Sequence, residues 1–164
     1  MIKTISLLLS LQLIGCAYEP NINGPIWKSF PITISFDTNV SLSFKDSTLR
    51  AIDEWEYKTN INLFNVTTNS SLIRVSIDLP ENFNPKEQAN TRTYWRGNYI
   101  QKSEIRINLA NPCDANSLML HELGHALGLK HTNEGVMYSY LSPTEIRTSL
   151  DLITLNYFHT LYYR

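Results

Sequence analysis

Residues 121–131 read HELGHALGLKH, and their spacing decides how the rest of the chain is read. A helix turns once in about 3.6 residues, so His121 and His125, four apart, project from one face, one turn above the other. Gly128 follows three residues after His125 and can take the left-handed conformation that ends a helix. The chain then turns back, and His131 brings a third imidazole. Three nitrogen ligands leave one tetrahedral position open, the pattern of a catalytic zinc site. Glu122 adjoins the first ligand without joining the set. Its carboxylate can take a proton from water acidified by the metal, which makes it the expected general base.

These residues resemble the extended zinc motif of metzincin peptidases, His-Glu-x-x-His-x-x-Gly-x-x-His followed by a Met-turn. Met137, within Gly135-Val136-Met137-Tyr138, fits that turn. Astacin-like and serralysin-like members carry a tyrosine two residues after the methionine as a further zinc ligand, where this chain has Ser139. Tyr138, directly after the methionine, looks matrixin-like. Residues 132–136 are the whole span between His131 and Met137, shorter than in typical animal matrixins.

The resemblance implies an α+β metzincin-like (zincin) domain. Its parts would be a twisted mixed β-sheet of about five strands, three main helices and a zinc cleft between upper and lower subdomains. It also implies one catalytic Zn2+ ion and a zinc-dependent endopeptidase acting on a protein or peptide. In that family an antiparallel edge strand pairs with the substrate. Residues 89–94 match that position, so Ala89, Thr91 and Thr93 are expected beside the substrate backbone. Tyr138 and Tyr140 are expected as cleft aromatics. The alternative reading is a lipid-anchored, non-catalytic binding protein that keeps zinc for structure. Its mark in sequence would be loss of the base, and Glu122 is present.

Upstream of the motif, Ile32, Ile34 and Phe36 alternate with polar residues as an inward-facing strand. Residues 46–58 place Leu49, Ile52 and Trp55 on an apolar helical stripe. Residues 61–66 and 72–78 read as strands about a Ser/Asn-rich turn. Residues 79–90 form a polar loop with no aspartate cluster to cage calcium, so none is expected. Residues 91–95 and 99–100 flank a turn at Arg96-Gly97-Asn98, and residues 105–109 make a further strand. Residues 116–127 form the zinc helix, with Leu120, Leu123 and Leu127 packing away from the ligands. Downstream, Ser142-Pro143-Thr144-Glu145 reads as a capping box that opens a final helix carrying Ile146, Leu150, Ile153 and Tyr157, to about Phe158. His159 stands at that helix's solvated end.

The amino terminus has Lys3, then an apolar run from Ile5 to Ile14, as in a secretion signal. The run is far short of the roughly 20 residues that span a bilayer. Leu13-Ile14-Gly15-Cys16 resembles the bacterial lipobox, with cleavage before Cys16 and lipidation of its sulfur. The expected organisation is a signal peptide over 1–15, a tether over 16–26 and a catalytic domain over 27–164. Cleavage would leave about 150 residues, the usual size of one domain. The expected location is across the bacterial inner membrane and lipid-anchored, with the outer membrane or cell surface favoured because Ala17 follows Cys16. A net charge of −1 with no basic run argues against nucleic acid. With two cysteines and Cys16 acylated, Cys113 has no disulfide partner, and a monomer is expected.

Overall fold

A computed structural model of the chain describes residues 24–111, 114–139 and 146–163. Their regular structure comprises strands β1 (Ile32–Phe36), β2 (Phe64–Val66), β3 (Ile73–Ile77), β4 (Ala89–Arg96) and β5 (Tyr99–Ile107). It adds helices α1 (Leu42–Thr59), α2 (Ala115–Ala126) and α3 (Leu152–Tyr162). The signal sequence, Cys16, Cys113, Tyr140 and the expected capping box at 142–145 lie outside the described residues. Among the described residues, no helix is long and apolar enough to cross a membrane.

The five strands form one mixed sheet in the order β2-β1-β3-β5-β4. β1 pairs in parallel with β2 and β3, and β3 with β5, whereas β4 is antiparallel to β5 and closes one edge. Ile32, Ile34, Ile73, Val75, Ile105 and Ile107 turn inward and are buried in one core with Trp55, Leu120 and Leu123. This is the α+β architecture expected, with the antiparallel edge strand at 89–96.

Several boundaries differ from the sequence reading. The first helix begins at Leu42, because Ser41 accepts a hydrogen bond from Phe44 N and caps it. Its buried residues include Thr48, Ala51, Ile52 and Trp55, while Leu49 is exposed. Steps of three residues fall short of a full turn, so Leu49 drifts off the face that Trp55 occupies. β2 shrinks to three residues because Glu56 Oε1 accepts from both Leu63 N and Phe64 N at 2.8 Å, drawing that stretch toward α1. The pieces at 99–100 and 105–109 are one strand. Tyr94 pairs with Lys102 and Trp95 with Ile100. This leaves Gln101 as an extra residue that shifts the in-and-out phase.

The last helix is the largest correction. It does not carry Ile146, which is exposed, and it starts at Leu152. Asp151 caps it, accepting from Thr154 N at 2.8 Å. The helix continues past Phe158 to Tyr162, whose hydroxyl donates to Leu127 O at 2.7 Å and so ties α3 to the end of α2. His159 is exposed, as expected of a helix end.

Candidate active site

Helix α2 starts at Asp114, whose carboxylate accepts from Ser117 N at 2.7 Å. Its apolar residues Leu120, Leu123 and Ala126 are buried, which fixes the rotation of the helix and turns His121 and His125 toward the opposite side. Trp55 Nε1 donates to Leu120 O at 3.0 Å and locks α1 against this helix.

The helix ends in a Schellman turn. Gly128 N donates to His125 O at 2.9 Å and Leu129 N to Gly124 O at 3.0 Å, with Gly128 at φ +94°. A Cβ on Gly128 would also strike the Pro25 carbonyl. The glycine is therefore required twice, by its backbone conformation and by the amino-terminal segment packed on it. The reversal brings His131 back toward α2 and presents Leu129 O to His125.

The three imidazoles meet. His125 Nε2 lies 3.0 Å from His121 Nε2 and 3.1 Å from His131 Nε2. His121 Nδ1 is 2.7 Å from Val136 O, and His125 Nδ1 is 2.8 Å from Leu129 O. A carbonyl only accepts, so both Nδ1 atoms carry the proton and both Nε2 atoms turn bare lone pairs toward each other. Such a pair repels unless a cation lies between. Tetrahedral zinc with bonds of about 2.0–2.1 Å would separate its nitrogens by roughly 3.3 Å, close to what is found. The donor set thus fits zinc, and carbonyl acceptors on the far ring nitrogens are the usual support of zinc histidines. Among the described residues, these three form the metal-competent group of His, Cys, Asp or Glu side chains.

The electrostatics agree with the ligand form. Burial, and then the neighbouring His125, push His121 down to about 3 against the opposing pull of Val136 O. Burial likewise lowers His125 and His131. Each shift favours the neutral imidazole that metal binding requires. Glu122 is 4% exposed, and burial pushes its carboxyl up to about 7, opposed by a hydrogen bond from Thr91. That bond runs from Thr91 Oγ1 to Glu122 Oε2 at 2.6 Å.

A cleft of about 980 Å³ holds these groups. His121, Glu122, His125 and His131 line it, with Ala89, Thr91 and Thr93 from the edge strand and Tyr138 beyond Met137. Each described residue expected to meet substrate is therefore on the cleft. Trp95, next in the alternating series along β4, also lines it, and the sequence reading does not single it out.

Met137 is fully buried. A Cβ on Gly124 would run into its sulfur, which places the methionine under the helical turn between His121 and His125. The short loop before it closes on itself, with Thr132 N donating to Met137 O at 2.9 Å and Tyr138 N to Gly135 O at 3.1 Å. The sequence motif does not disclose what holds this loop. Val136 N donates to Asp151 Oδ2 at 2.6 Å, and Arg147 Nη1 donates to Gly135 O and, at 3.2 Å, to Val136 O.

The family model for Astacin, a peptidase family, matches residues 21–136. The chain belongs to the astacin family, a metzincin-type family of zinc metallopeptidases. The matched span takes in the edge strand, the three histidines and Glu122, and stops one residue before Met137. No individual curated protein matches the chain.

Proposed function

We propose that this chain is a zinc-dependent endopeptidase, with His121, His125 and His131 holding one Zn2+ ion and Glu122 serving as general base. The observation that carries the reading is the pair of unprotonated Nε2 atoms 3.0 Å apart on the wall of a cleft that Glu122 also lines. When bound, zinc supplies Lewis acidity, acidifying water and drawing electron density from a carbonyl oxygen. Glu122 then accepts a proton from the attacking water and returns it to the departing amine nitrogen, a role its place on the cleft wall beside His121 allows. The edge strand β4 offers backbone groups to an extended peptide, and Ala89, Thr91 and Thr93 meet its side chains.

Ser139 has no phenol to offer the metal, so the three histidines serve as its ligands without the tyrosine common in astacins. Tyr138, directly after Met137, supports a matrixin-like wall to the substrate pocket. Leu13-Ile14-Gly15-Cys16 supports export and lipid anchoring through Cys16, with the outer membrane or cell surface as the site and a monomer as the working form. Substituting Cys16 by serine should abolish incorporation of labelled fatty acid.

The direct test of the reaction is Glu122→Gln with casein as substrate. The variant should bind zinc as the wild type does and lose at least about 100-fold in turnover, as expected when a general base is removed. Cleavage at the wild-type rate would reject Glu122 as base. Zinc binding with no cleavage by the wild-type chain would favour the binding-protein reading.

A further inference from the structure

The loop carbonyl that orients the first histidine does not serve that residue alone. Val136 O accepts from His121 Nδ1 at 2.7 Å and from Arg147 Nη1 at 3.2 Å, and the same guanidinium nitrogen reaches Gly135 O. Arg147 is in turn fastened to the zinc helix, since its backbone N donates to Ser117 Oγ at 2.6 Å. Ser117 stands one helical turn before His121 and is fully buried. A closed ring results, running from His121 through Val136, Arg147 and Ser117 back along α2. One residue thereby joins the helix that supplies a ligand to the loop that aims it.

We infer that Arg147 is a positioning residue for the metal centre: it fixes the Gly135 and Val136 carbonyls so that His121 presents Nε2 to the zinc ion. The inference rests on the histidine site proposed above. A guanidinium suits this task because Nη1 carries two N–H donors held in a fixed plane and so can hold both carbonyls at once, whereas a lysine ammonium is a mobile point charge. Without those fixed donors, the carbonyl behind His121 is free to turn away, and loss of such an outer partner typically weakens metal binding or activity about 10–100-fold. Arg147 does not line the cleft, so substrate affinity should stay near its original value while turnover falls.

The test compares the full chain with its Arg147→Lys and Arg147→Ala variants. Zinc affinity is measured by competition with a chromophoric chelator, the visible spectrum is recorded with cobalt(II) in place of zinc, and kcat and KM are read with casein. Arg147→Lys should bind zinc about tenfold more weakly, and Arg147→Ala more weakly still. Both should show shifted cobalt bands and a lowered kcat at near-constant KM. If Arg147→Ala does not fold, Arg147→Lys decides by the same criteria. Unchanged zinc affinity and an unchanged cobalt spectrum, with only a lower melting temperature, would overturn the inference and leave Arg147 a fold anchor. If the wild-type chain binds no zinc, the proposed site itself fails, which is a different result from variants that bind as tightly as the wild type.

Discussion

Thr91 on the sheet edge and Glu122 on the second helix share a hydrogen bond of 2.6 Å, donated by the hydroxyl to Oε2. It joins the strand that would receive substrate to the carboxylate that would act on it. Thr91→Val keeps the branched shape that suits a strand and removes the donor. A hydrogen bond to a charged group contributes about 1.5–3 kcal/mol, so kcat/KM should fall roughly 10–100-fold with zinc affinity unchanged. A steady-state assay beside a zinc titration checks this, and full activity would show that the bond does not position the base.

Two glycines of the motif should tolerate alanine poorly, for different reasons. At Gly124 a Cβ meets the Met137 sulfur and approaches the Trp55 ring. Overpacking of about 1–3 kcal/mol then outweighs the roughly 1 kcal/mol that alanine adds to a helix. At Gly128 the Cβ meets a backbone carbonyl at φ +94°, where strain alone is about 1–3 kcal/mol. Urea unfolding should place both variants below wild type, with Gly128→Ala the lower.

Asp151 predicts a pH dependence of stability. Burial would raise its carboxyl, but hydrogen bonds from Thr154 N, Val136 N and the Thr154 hydroxyl outweigh it and hold the group below the usual carboxylate range. Its contribution is therefore complete above the unfolded value of about 3.9 and is lost as pH falls through the lower folded value. Asp151→Ala removes a helix cap and should cost about 1–2 kcal/mol near neutrality. The gap in melting temperature from wild type should close below about pH 4. Measured in a chelator, histidine protonation affects both proteins alike and cancels in the difference.

The histidine cluster is legible in the sequence because helical spacing is local: His121 and His125 share a face wherever the helix forms. Gly128 is legible for the same reason. The edge strand is placed by family resemblance, and its alternation puts Ala89, Thr91 and Thr93 on the cleft as expected. Long-range partners are hidden. Asp151 before an apolar run is itself a cap signal, but nothing near it says that it also accepts from Val136 N, a residue 15 positions earlier. Without that knowledge, the capping pattern at 142–145 reads as the stronger helix start. The split of β5 has a similar cause. Lys102, Ser103 and Glu104 interrupt the apolar alternation, yet Ser103 is buried opposite Thr93, and Lys102 and Glu104 pair with each other on the outer face. Pairing with β3 on one side and β4 on the other makes that polar middle a strand.

If His121, His125 and His131 hold a zinc ion on which hydrolysis depends, occupancy and cleavage must rise together. A zinc titration of the purified, chelator-stripped chain, with bound metal and casein cleavage followed side by side, reads both at once. Binding should saturate at about one ion per chain, as for a three-ligand catalytic site, activity should return in proportion to occupancy, and His125→Ala should abolish both. A correctly folded chain that takes up no zinc at saturation, or that cleaves casein equally well without it, would refute the zinc-peptidase reading.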